Sequence, residues 1–178
     1  PLNENENKVV SSMFHVISDI ERIGDHCKNL SDLIIEMKSR EVVFSDSAKA
    51  DLYVIANAVG EIIDLTISCF ESDSNELAFR IEPLEDVIDN LKDKLKNGHV
   101  NRLVAQKCDV QSGIIFIEII NNLERIADHC TNIALSVVQR QSTDEDFNSH
   151  DYAKELHREM TSAYEEILDE YQKKYALT

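Results

Sequence analysis

Apolar residues recur at helical spacing along almost the whole chain. From about Glu4 to Lys38, Met13, Val16, Ile17, Ile20, Ile23, Cys27, Leu30 and Ile34 fall on one face. Arg40 to Phe44 reads as extended, and Ser45 or Asp46 can cap a second helix. That helix runs to about Phe70, with Leu52, Val59, Ile62, Ile63 and Ile67 turned inward. Ser72 to Asn75 reads as a turn, with Ser74 as the next N-cap. The third helix is predicted to stop at Asn97-Gly98, and Pro83 inside it predicts a kink or a restart. A fourth helical region spans about Val100 to Arg140, a polar acidic loop Gln141 to His150, and a last helix about Tyr152 to Tyr175. Five helices joined by short connections predict an all-α antiparallel bundle.

Composition narrows the picture. At 178 residues the chain has the length of one domain. It carries 18 Lys plus Arg against 34 Asp plus Glu, a formal net charge of −16. That balance argues against nucleic acid or an anionic membrane surface as the main partner. Four Gly and two Pro leave little material for the turns of an all-β fold. Cys27, Cys69, Cys108 and Cys130 form no CxxC pair and read as reduced thiols, most of them small buried apolar groups. No run approaches the roughly 18 apolar residues of a membrane span. The longest, Ile114 to Ile120, is interrupted by Glu118. A start at Pro1 without Met reads as a piece of something longer, from which a membrane part could have been removed upstream.

The most informative feature is a repeat. Glu21-Arg-Ile-Gly-Asp-His-Cys-Lys-Asn29 returns as Glu124-Arg-Ile-Ala-Asp-His-Cys-Thr-Asn132, seven of nine residues identical, 103 residues apart. That period is too long for a solenoid and fits two related helical bundles facing each other. At about 100° per residue, Glu21, Asp25 and Asn29 form a stripe along the edge of the apolar face, as do Glu124, Asp128 and Asn132. His26 and His129 are predicted to point farther out, Cys27 and Cys130 into the apolar arc. Glu85 and Asp89 hold the same angular position on the third helix. Like charges at i and i+4 are mildly unfavourable, by a few tenths of a kcal/mol, so three such pairs at core edges invite a compensating cation. One source is local, Arg22 beside Asp25 and Arg125 beside Asp128. The other is a metal: carboxylates from two packed helices, aided by Asn, make an oxygen-rich site for Mg, Mn, Ca or Fe.

Other constellations carry no chemistry. None of the six histidines has a Glu three residues before it, so the Glu-x-x-His of di-iron carboxylate bundles is missing. There is no Gly-rich phosphate loop, G-x-S-x-G or HExxH. The acidic run Ser142 to Asp146 reads as a solvated loop, and Tyr164, Tyr171 and Tyr175 as packing anchors.

Glu-Arg-Ile-Gly-Asp-His and Glu-Arg-Ile-Ala-Asp-His resemble the signature of PhoU, the phosphate-uptake regulator family. The stretch from Phe14 to His26, and the ending Lys174-Tyr-Ala-Leu177, resemble the PhoU-like region that closes bacterial sodium/phosphate cotransporter family proteins. The resemblance implies two related three-helix bundles: a first repeat truncated at its N-terminus (about 1–44), a second repeat (about 45–140) and a C-terminal helix (about 150–177) within one domain. It implies metal ligation by Glu85, Asp89, Glu124 and Asp128 at one site. Glu21 and Asp25 would belong to a second site whose partner helix would precede Pro1. The last helix, with Glu155 and Glu159, could cover the vacated groove. The implied function is that of a non-catalytic cytosolic regulatory or assembly domain of a sodium-dependent phosphate transporter. Its partners would be the parent's transmembrane transport segments and, for the bundle, a second copy, with no nucleic acid and no insertion of this fragment into the membrane. It would lie at the cytoplasmic face of the plasma membrane. The alternatives are a free-standing PhoU regulator, a metal-dependent carboxylate oxygenase or hydrolase, and a purely structural bundle that dimerises through an apolar face.

Overall fold

The computed structural model describes residues 4–141 and 161–177. Among these the secondary structure is helical: α1 (Glu4–Ser39), α2 (Asp46–Ser72), α3 (Asn75–Val104), α4 (Val110–Gln141) and α5 (Thr161–Lys174). The acidic loop expected from Gln141 to His150, and the first residues of the expected last helix with Glu155 and Glu159, lie outside the described residues.

Local chemistry sets most boundaries. The Ser45 side chain accepts from the Ala48 N–H and starts α2; Ser74 does the same for α3 through the Leu77 N–H. Helix ends use left-handed residues that are not glycine: Glu41, Asp73 and Gln106, with φ of 53°, 51° and 55°. At each, the following or same residue's N–H returns to a late helical carbonyl, as Val42 does to Met37 and Lys107 to Arg102.

Two expectations are corrected here. Pro83 does not restart α3: the helix runs through it, and Ile81, Leu84, Val87 and Ile88 on both sides of it are buried in the core. Gly98 does not end α3 either. The helix continues to Val104, so that His99 can bury its ring against Phe116, centroid to centroid 5.5 Å. The imidazole occupies the space of the missing Gly113 side chain, where a Cβ would come within 2.2 Å of His99 Nε2. We therefore expect Gly113→Ala to cost about 1–3 kcal/mol by overpacking. Gly24→Ala, with nothing within 4 Å of the new methyl, should stabilise α1 by about 0.5–1 kcal/mol. Parallel urea titrations of the two variants check both signs.

α2, α3 and α4 pack on one another as a three-helix bundle. Its interior is Ile55, Val59 and Ile62 of α2, Ile81, Leu84, Ile88 and Leu95 of α3, and Ile115, Phe116, Ile120, Ile126 and Val137 of α4. Each such side chain contributes roughly 1.5–3 kcal/mol on burial. α2 is long and apolar enough in composition to cross a membrane, contrary to the sequence expectation, yet Ile55, Ala58, Val59 and Ile62 are spent on the bundle core. α1 lies antiparallel along α4, and α5 packs on α3. α5 is anchored by buried Tyr164, Tyr171 and Tyr175. Tyr164 Oη donates to Asp86, Tyr175 Oη to Glu61, and Lys174 pairs with Glu61 at 2.8 Å. Among the described residues α5 covers α3; the part of the expected last helix that carries Glu155 and Glu159 lies outside them.

Candidate functional site

The repeat motifs meet at the crossing of α1 and α4. His26 Nδ1 lies 2.9 Å from Asn122 Oδ1, and His129 Nδ1 lies 2.9 Å from Asp19 Oδ1. The Asn29 amide also reaches Asn122 (3.2 Å), and Asn132 reaches Asp19 (3.4 Å). Asp19 and Asn122 hold the same position of the repeat, two residues before Glu21 and Glu124. The crossing is thus a local two-fold, with the two imidazoles stacked at its centre, 5.7 Å apart and inclined by 28°. Asn122 spends its amide NH2 on the Glu118 carbonyl, so its oxygen is the acceptor for His26. The Asp19 carboxylate can only accept from His129. Both rings are therefore held with hydrogen on Nδ1. The outward placement expected for both histidines is corrected: each is half-buried in this clasp. Extending the repeat two residues upstream would have found Asp19 and Asn122.

The carboxylates expected to form two sites have unlike surroundings. Glu85, Asp89, Glu124 and Asp128 line one seam between α3 and α4. Burial, then the charges of Asp128, Asp86, Asp89 and Glu124, push the Glu85 carboxyl from its ordinary 4.5 up to about 8. Near neutral pH it is protonated and donates a hydrogen bond to Asp128. Burial and Glu124 raise the Asp128 carboxyl as well, against the pull of Arg125 and Lys92. Lys92 Nζ bridges the seam, bonding Asp89 and Glu124, the latter at 2.9 Å. Burial alone would lower its pKa; the two hydrogen bonds and carboxylate charges outweigh that and raise it. Lys92 and Glu124 are mostly buried, their side chains 15% and 12% exposed. Arg125 adds a looser contact to Asp128 at 3.6 Å, the local pairing expected from sequence.

On α1 nothing comparable forms. Glu21 and Asp25 are exposed rather than half-submerged, and Cys27 is exposed where Cys130 is buried. Among the described residues no cation from another helix pairs with Glu21 or Asp25. Nor do any three His, Cys, Asp or Glu side chains there come together as a group able to hold a metal ion. The positive charge in the α3–α4 seam is supplied by Lys92, and one negative charge is removed by the proton on Glu85. Lys92 was missed from sequence because it lies outside the Glu-x-x-x-Asp spacing, though it stands three residues after Asp89.

The fold and this seam define a helical-bundle module with a charge-compensated acidic groove. Residues 52–137, from early α2 through nearly all of α4, match the PhoU domain family. Over those residues the bundle is similar to a PhoU domain. Relatives include the phosphate-specific transport system accessory protein PhoU homolog 1 of Thermotoga maritima, 23% identical over 138 residues, covering 74% of this chain and 59% of that protein. The PhoU homolog of Clostridium acetobutylicum is 22% identical, covering 78% and 62%. That of Synechocystis sp. is 24% identical, covering 73% and 56%. The chain thus spans about three fifths of the length of these relatives. No solved structure matches.

Proposed function

We propose that this chain acts as a PhoU-type accessory module of phosphate transport, binding a component of the transport system and regulating it without catalysing a reaction. The observation that carries this reading is the coincidence of the PhoU match, residues 52–137, with the α2–α4 bundle and its repeat motif. The relatives' names describe accessory proteins of a phosphate-specific transport system. That supports a separate accessory protein over the tail of a sodium-dependent transporter. Removing the gene from its host should alter phosphate uptake or its response to external phosphate, and the plasmid-borne gene should restore both. Unchanged uptake and response would overturn the reading. Hydrophobic spans encoded in frame upstream of Pro1 would return it to the transporter-attached form.

In this reading the acids Glu85, Asp89, Glu124 and Asp128 form a charge-balanced groove. A divalent ion would enter only by displacing the Lys92 ammonium and the Glu85 proton. Glu21 and Asp25 would need ligands from outside the described helices.

A further inference from the structure

One end of the three-helix bundle holds a cavity far from the acidic seam. About 140 Å³ in volume, it lies between the start of α2, the end of α3 and the start of α4, walled by Phe44, His99, Arg102, Lys107, Cys108 and Asp109. The Arg102 guanidinium pairs through Nη1 with Asp51 at 2.8 Å, but its Nη2 is buried without a partner. His99 is only 5% exposed; its Nδ1 lies 3.9 Å from the Cys108 Sγ, and its Nε2 is also unpartnered. The Asp109 carboxylate is spent on the Ser112 N–H, 2.9 Å away. Cys108 is half-buried and stands just before α4, at the positive end of that helix. The other thiols have no such setting. Cys69 and Cys130 are buried, which raises the pKa of both, and Cys27 is exposed on α1.

A thiol, an imidazole placed to take its proton and an unpaired guanidinium N–H around so small a space suit a small electrophile that releases an oxygen anion. We propose that Cys108 is a peroxide-reactive thiol, oxidised in this cavity by hydrogen peroxide and restored by small thiols. The thiol proton passes to His99 Nδ1. The sulfur attacks the nearer peroxide oxygen, an S–O bond forms and the O–O bond breaks. The departing oxygen accepts from Arg102 Nη2 and takes the proton from the imidazolium, leaving as water. Sulfur loses two electrons to become the sulfenic acid, and the peroxide gains them. Burial and the charge of Arg102 lower the His99 pKa, so the imidazolium gives up its proton readily. Two molecules of a small thiol reverse the change: the first forms a mixed disulfide with loss of water, the second releases Cys108 as the free thiol. The inference rests on the cavity and its walls, not on the phosphate-transport reading.

The test uses the reduced 178-residue chain, whose four cysteines fall on four different tryptic peptides and are read separately by mass spectrometry. Hydrogen peroxide with a dimedone trap should label Cys108 about tenfold faster than the more exposed Cys27, or better, and should leave Cys69 and Cys130 nearly unlabelled. In concentrated urea that advantage should vanish. Iodoacetamide releases no oxygen anion, so the folded chain's preference for Cys108 over Cys27 should be about tenfold smaller toward it than toward peroxide. Arg102→Lys keeps a positive charge beside Asp51 and removes the planar donor; it should slow the peroxide reaction and spare the iodoacetamide one. If that variant melts early, the two-reagent comparison on the wild type stands in its place. Without the trap, glutathione should return oxidised Cys108 to the free thiol. Four results would overturn the proposal. One is a Cys108 oxidised no faster than Cys27. Another is a preference that survives urea. A third is an equal preference toward both reagents, the mark of simple access. The last is oxidation that passes directly to a sulfonic acid, which glutathione cannot reverse.

Discussion

Glu85→Gln should raise the melting midpoint at pH 9 by about 5–10 °C and leave it nearly unchanged at pH 5. In the folded chain the Glu85 carboxyl titrates near 8, against 4.5 ordinarily. A pKa raised on folding gives stability that is complete below the unfolded value and lost as pH climbs through the folded one. Between pH 6 and pH 9 the wild type should therefore lose about 2–3 kcal/mol that the variant keeps. Gln suits the site because its amide can still donate to Asp128, as the protonated carboxyl does. The measurement is calorimetric melting of both proteins across that pH range. Parallel curves would show that the four surrounding carboxylates do not hold a proton on Glu85.

Lys92→Met should be the most damaging change in the seam. It keeps most of the apolar stem and removes the ammonium, leaving Glu124, with only 12% of its side chain exposed, beside Asp89 and Asp128 without that cation. Breaking one side of a buried pair costs about 3 kcal/mol or more, because the remaining charge stays desolvated. The midpoint at neutral pH should fall by about 6–12 °C and recover partly in acid, where the carboxylates take up protons. The same variant interrogates metal. With its resident cation gone, the groove should recover stability on adding Mn or Mg if these acids can ligate an ion, since a ligand that binds only the folded state raises the midpoint. A variant as stable as the wild type would show that Lys92 does not hold the seam together. A variant that melts early and ignores divalent ions would dispose of the metal reading of Glu85, Asp89, Glu124 and Asp128.

Periodicity was enough to show the helices because their buried faces are nearly continuous; Ile55 to Ile62 and Leu84 to Leu95 repeat every three or four residues. The ends were legible where a side chain does the capping, as at Ser45 and Ser74. They were not where tertiary packing decides. Gly98 is a good stop in isolation, but His99 needs the helix to continue in order to fill the space left by Gly113. The site divides the same way. The repeat announced the motif at Glu21 and at Glu124, and the common spacing of acids pointed to the α3–α4 seam. The motif alone could not show that one copy lies under two helices and the other is open, since that depends on what packs above it. Lys92 was hidden for a similar reason: a lysine beside an acid on a helix surface is common, and only the approach of α4 makes it a bridge.

The divergence of Asp19 from Asn122 bears on who pairs with whom. Two aspartates would place an anion at both ends of one imidazole stack; two asparagines would place none. With one of each, a duplicated helix has become able to tell its twin from itself. Bringing together two helices of the α1 kind would double the aspartates around the rings, and two of the α4 kind would leave the rings facing only amides. A single substituted position thus makes the α1–α4 contact chemically unlike either helix set against a copy of itself.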